Sequence, residues 1–276
     1  VLIINADDLG CNAQRSHGIF QCFEFGIVTS ATIWPNGSDS ENAARRSLER
    51  KLPVGLHLNL VEEYPIAKPA DVETLLQRGG TFHPVDELFR MLDKGAVKRE
   101  HLDREIHAQI QWAFDHGLIL THVASNYDAH IHPVITQALI PIMERYGLNR
   151  IRIPCEEPLP PFGFEIPATQ IADIRRINAL AQSAREHFTA NGIVSTDHFR
   201  GHTLLGNASL KNLRHIIGRL PEGTTELMIH PGSPCAYGTP FDLDPQRQTE
   251  LRMLTDMTVP ALLTQKKIVL GTYGDL

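Results

Sequence analysis

Short apolar runs rich in β-branched residues alternate with amphipathic stretches along the whole chain. Runs at 1–6, 28–34, 54–60, 121–126, 150–154, 195–200, 225–230 and 267–271 read as strands. Stretches at 13–25, 38–51, 84–94, 98–116, 133–146, 170–190, 209–220 and 245–265 read as helices. The punctuation agrees with this reading. Ser38 or Asp39 is placed to cap its helix, Pro35-Asn36-Gly37 closes the second strand, and Pro133 falls in a helix's first turn. A longer excursion over about 61–117 carries the turn signal Gly79-Gly80, and the Pro- and Glu-rich stretch 155–167 reads as a loop. Strands followed almost without exception by helices predict a parallel sheet. This many units in one chain predict an α/β fold of the distorted (β/α) barrel type, with a doubly wound open sheet as the alternative. No GxGxxG follows the first strand, which weakens the dinucleotide-binding form of that alternative. Without an internal repeat, linker or low-complexity tract, residues 1–276 are expected to form a single domain with an insertion at about 61–117.

Composition narrows the function more than the fold. Lys plus Arg number 26 against 32 Asp plus Glu, a net charge of −6, so no basic excess is available to neutralise phosphates and no nucleic-acid partner is expected. The apolar runs are too short to cross a bilayer, so no membrane partner is expected either. Cys11, Cys22, Cys155 and Cys235 form no CxxC, and no basic leader precedes the first apolar run; both features point to a cytoplasmic protein with free thiols.

In a parallel barrel the C-terminal strand ends carry the chemistry. Here those ends hold Asp7-Asp8, His57, Asp128-Ala129-His130-Ile131-His132, Arg152, Asp197-His198 and His230-Pro231-Gly232. Two adjacent carboxylates repel unless a cation neutralises them, so Asp7-Asp8 points to a metal, a shared proton or a division of roles; a plain helix-capping turn is the competing explanation. Taken alone, His57 would read as a satisfied core histidine. Beside Asp8 and a His-rich loop it reads as a metal ligand, and imidazole plus carboxylate suits zinc or a harder divalent ion. His230, ahead of Pro-Gly, is a candidate acid.

The segments NADDLG (5–10), GIVTSATIWPNG (26–37), VGLHLNL (54–60), THVASNYDAHIHP (121–133), IRIP (151–154), DHF (197–199), MIHPG (228–232) and GTYGDL (271–276) occur in order across the chain. Together they resemble the YdjC-like carbohydrate (chitooligosaccharide) deacetylase family. The resemblance implies a distorted (β/α) barrel related to polysaccharide deacetylases, one divalent metal (magnesium or zinc), and hydrolysis of the acetamide of N-acetylated sugars. It implies Asp7 as general base, His230 as the residue assisting the leaving group or oxyanion, and Asp8 and His57 as metal ligands. Arg152, His130 and Asp128 are then expected at the substrate. The chain departs from the family pattern H-x-D-S-H-x-H-x-H: its aspartate position is Ala124, its second histidine-ligand position is Asn126, and the next histidine position is Asp128. An amide oxygen is a poorer zinc ligand than imidazole. Two functions follow from this: a metal-dependent carbohydrate deacetylase that uses Asn126 as third ligand, with Asp128 as the alternative at that place, or a catalytically impaired sugar-binding or regulatory protein on the same barrel. The expected partner is an N-acetylated sugar substrate, and a homodimer is an assembly the sequence leaves open.

Overall fold

The structure is a computed structural model that describes residues 1–157, 166–236 and 238–276. Among the described residues seven strands form one parallel sheet: β1 (Leu2–Leu9), β2 (Ser30–Ile33), β3 (Val54–Leu58), β4 (Leu120–Ser125), β5 (His198–Arg200), β6 (Thr225–Ile229) and β7 (Leu270–Gly271). Their order is β4-β3-β2-β1-β6-β5. β6 pairs with β1 from Leu2 to Ala6, while the opposite edge of β1 is divided between β7, at Leu2 and Ile3, and β2, from Asn5 onward. The eighth expected strand, 150–154, does not form a ladder. It makes single parallel bridges, Ile151 to Val123 of β4 and Arg150 to Val194, and so joins the β4 edge to the chain leading into β5. The result is the distorted α/β barrel expected from the alternating pattern. Among the described residues no helix is long and apolar enough to cross a membrane.

Local chemistry sets several boundaries that periodicity misplaces. β3 stops at Leu58 because the Asn59 carboxamide turns back on the chain, accepting from Val61 N and Glu62 N at 3.2 Å each and donating to Glu62 O at 2.8 Å. The helix expected over 245–265 is two helices, Gln246–Leu254 and Val259–Gln265; Asp256 bonds Thr258 N at 2.9 Å between them, and Pro260 begins the second. The excursion after β3 contains the helices Val85–Asp93 and Arg99–Asp115. It is tied down by Glu105, which is fully buried and accepts from Ile66 N and Ala67 N at 3.0 Å each. Burial pushes the Glu105 carboxyl up to about 7. One turn along the same helix, Gln109 bonds both N and O of Asn59, which fixes the end of β3 and therefore the strand that carries His57. Part of the 155–167 loop expected from sequence, residues 158–165, lies outside the described residues.

The helix Ala13–Phe25 packs against the turn after β6 at one very close point. A Cβ at Gly18 would lie 2.6 Å from Gly232 Cα and 2.9 Å from its N and C. All three neighbours are backbone, which cannot rotate away. Gly18→Ala is therefore expected to cost about 1–3 kcal/mol by forcing helix and turn apart, read as a lower urea midpoint with an unchanged m-value. A midpoint equal to that of wild type would show that the contact is looser than described.

Candidate active site

β1 delivers the paired carboxylates through a local irregularity. Its register with β2 shifts between Ala6 and Leu9, and Asp8 adopts φ 68°. Aspartate tolerates this left-handed conformation better than most residues. The bulge re-aims consecutive side chains, so Asp7 and Asp8 both reach the rim instead of opposite faces of the sheet.

Asp7 is almost saturated with donors. Its Oδ1 accepts from Arg152 Nη2 at 2.7 Å, Asn5 Nδ2 at 2.8 Å and Thr32 Oγ1 at 3.0 Å; its Oδ2 accepts from Arg152 Nη1 at 2.6 Å. Burial alone would raise its pKa, but the charge of Arg152, with the Arg152 hydrogen bonds, holds it far below the carboxylate range.

The same contacts determine the tautomer of His57. Thr32 has one hydroxyl proton, which goes to Asp7, so its oxygen accepts the hydrogen of His57 Nδ1 at 2.9 Å. Burial keeps the imidazole neutral, against the pull of Asp7 and Asp8. Nε2 is thus a bare lone pair, and it faces Asp8 Oδ1 at 3.4 Å. Two electron-pair donors converging with no proton between them make an edge suited to a cation. This donor chemistry fits one divalent metal. Among the described residues no group of three or more His, Cys, Asp or Glu side chains stands close enough to hold an ion. Any further coordination of such an ion would fall to an amide oxygen or water.

His230 follows β6. Its backbone N donates to the buried Glu250, its ring meets Phe241 edge-on at 5.3 Å, and its Nε2 lies 3.9 Å from Asp7 Oδ2. Burial pushes its pKa well below the usual histidine value; the Asp7 charge opposes this without prevailing, and Arg247 and Arg15 add to the push.

The loop after β4 places the remaining expected residues unequally. Tyr127 and Asp128 are both left-handed, at φ 51° and 52°, a concentration of backbone strain of the kind found at functional sites. Asn126 stands at the strand end with its Nδ2 3.4 Å from Asn59 Oδ1. Asp128 is drawn to His202 Nε2 at 2.9 Å. Burial disfavours the imidazolium, but the bond to Asp128 and its charge outweigh burial and raise the His202 pKa. His130 lies beneath the rim, fully buried, between Ser125 Oγ at 2.6 Å and Arg152 O at 2.9 Å, and burial pushes its pKa down to about 4. Arg152 is equally buried, between Asp7 and Glu226, so it touches Asp7 from below instead of lining an opening.

The structure thus brings Asp7, Asp8, His57 and His230 together, sets Asn126 and Asp128 at the edge, and puts His130 and Arg152 underneath. Sequence reading missed Arg15, Thr32, Asp242 and His202. Arg15 had a signal: it shares the inward face of its helix with Gly18, Ile19 and Cys22, at helical spacing, where a charge needs a partner. Thr32 and His202 had none, because ordinary strand and loop positions acquire their neighbours only in the fold.

A family profile described as YdjC-like protein matches residues 1–265. The carbohydrate deacetylase of Geobacillus stearothermophilus is 31% identical over 278 residues, covering 99% of this chain and 96% of the relative. The carbohydrate deacetylase of Homo sapiens is 30% identical over 295 residues, covering 100% and 90%. The chitooligosaccharide deacetylase of Proteus mirabilis is 28% identical over 287 residues, covering 100% and 98%. Among solved structures, an Enterococcus faecalis protein provisionally described as a cellobiose-phosphate cleavage protein superposes with a TM-score of 0.78 at 20% identity, covering 99% of this chain and 97% of the other; this likeness concerns the fold.

Proposed function

The chain belongs to the YdjC-like protein family, and on that premise we propose that it is a carbohydrate deacetylase that hydrolyses the acetamide of N-acetylated sugars with the help of one divalent metal. The observation that carries the reading is the pairing of a bare-donor edge, Asp8 Oδ1 and His57 Nε2, with a neutral histidine, His230, across the ionised Asp7. Asp8 and His57 would hold the ion, with Asn126 as the nearby amide. A carboxylate and an amide oxygen favour a hard cation, so magnesium is preferred to zinc. When bound, the ion supplies a Lewis acid that polarises the acyl oxygen and acidifies water.

The chain's own groups move the proton. With His230 Nε2 and Asp7 Oδ2 3.9 Å apart, one water oxygen set to the side of the line between them would be within hydrogen-bond reach of both. His230 Nε2 takes a proton from that water as its oxygen bonds to the acetamide carbon. It returns the proton to the amide nitrogen as the C–N bond breaks, leaving acetate and a free amine. Asp7, expected from sequence to be the base, is a poor one here, because four hydrogen bonds from Arg152, Asn5 and Thr32 stabilise its ionised form. It serves instead as the negative charge facing the imidazolium that forms on His230.

The test is acetate release from chitooligosaccharides with magnesium or zinc supplied, alongside a count of new free amines. Equal amounts of both products are expected. If no N-acetylated sugar yields acetate with either metal while sugar still binds, the alternative of an impaired sugar-binding protein, motivated by Asn126, replaces this one.

A further inference from the structure

One charge at the rim is unused by this mechanism. Arg15, in the first turn of the helix Ala13–Phe25, is 2% exposed and lies against the Asp8 oxygen that faces away from His57: Nη1 meets Asp8 Oδ2 at 3.0 Å. Nη2 meets Asp242 Oδ1 at 2.9 Å, and Asn12 Nδ2 holds the same oxygen at 3.0 Å. Asp242 is itself fixed by a capping box with Thr239. The guanidinium also lies 5.0 Å from the centroid of Phe241, and Asn12 accepts Arg15 N to start the helix. This is a built position, with the side chain held from three sides.

A fixed guanidinium on Asp8 does two things. It confines a metal to the single oxygen Oδ1, the one that faces His57. It also gives Asp8 a positive partner of its own, as Arg152 does for Asp7, charge that a divalent ion would otherwise supply to Asp8 alone. We propose that Arg15 is a resident counter-cation of Asp8 that competes with the divalent metal for that carboxylate, so that it holds the site assembled when the ion is gone and sets the ion's affinity low. Arg15 is in this sense a positioning residue. The proposal rests on the reading of Asp8 and His57 as metal donors.

Calorimetric titration of the full chain with magnesium and with zinc tests it, with folding checked by circular dichroism. In Arg15→Met the competing charge is lost and Asp8 gains a free oxygen, so divalent affinity is expected to rise by roughly tenfold or more. Arg15→Lys keeps a charge and is expected to stay within about threefold of wild type. Arg15→Met leaves Asp242 without its cation; should that variant fail to fold, Arg15→Met with Asp242→Asn removes one charge of each sign, and its affinity is still expected to exceed that of wild type. Affinity equal to or below wild type in the folded Met variants overturns the proposal and identifies Arg15 as a prop for Asp8, while leaving the metal reading intact. If neither wild type nor any variant binds either metal, the metal reading fails, and this proposal with it.

Discussion

His230→Gln is expected to lower kcat by on the order of 10²-fold or more while KM changes little, because the group lost moves a proton in the transition state and does not hold the sugar in the ground state. Glutamine keeps much of the shape and hydrogen-bonding capacity but cannot carry the proton. The pH profile separates this role from a structural one. Burial, with the charges of Arg247 and Arg15, holds the His230 pKa well below the ordinary histidine value, so the neutral form that accepts a proton prevails at neutral pH. As pH falls through that lowered pKa, the imidazole is protonated in advance and can no longer accept. Wild-type kcat/KM should therefore show an acid limb below the usual histidine range, and the limb should vanish from the residual activity of the variant. An unchanged acid limb in His230→Gln would remove His230 from the proton path and return the role of base to Asp7.

Arg152→Met is expected to give the largest loss of stability of any single change at this site, about 3–5 kcal/mol. The guanidinium is fully buried and binds Asp7 at 2.6 and 2.7 Å and Glu226 Oε1 at 2.6 and 2.9 Å; Glu226 also accepts from the buried Tyr273 hydroxyl. Removing it leaves two carboxylates without a cation in the interior, each of which must take up a proton or draw in water. Lysine is not a conservative replacement, because one ammonium cannot reproduce the planar fork that spans both carboxylates. Adding Glu226→Gln should recover part of the loss by removing one uncompensated charge. Urea unfolding of wild type, Arg152→Met and the double variant reads all three. A loss below about 1 kcal/mol for Arg152→Met would mean that the pair is solvated and that Asp7 is not held ionised by this arginine.

Arg152 also illustrates how far sequence reading reaches. The residue is legible as important, since it is a charge held within the expected strand 150–154 among other rim residues. Its place beneath Asp7 is not, because its ion-pair partners lie 145 and 74 positions away in the chain. His130 is similar: its place in the His-rich loop after the fourth strand marks it as part of the site, yet its two ring bonds, to Ser125 and to the Arg152 carbonyl, seat it below the rim. Asp128 sits at a motif position that invites a ligand role, and in the fold it is taken up by His202, which no pattern singles out.

Local pattern is enough for the alternation of strands and helices, the parallel sheet, and the gathering of Asp7, Asp8, His57 and His230 at strand ends. Those features depend on local periodicity and on the rule that side chains at the C-terminal ends of parallel strands share one face. Contacts made in the folded molecule settle which carboxylate is neutralised by which arginine, which tautomer His57 adopts and which way the bare nitrogen points. Such outcomes depend on charges and hydroxyl protons brought together from distant parts of the chain, where burial makes each unpaired group costly and so forces one pairing over the others.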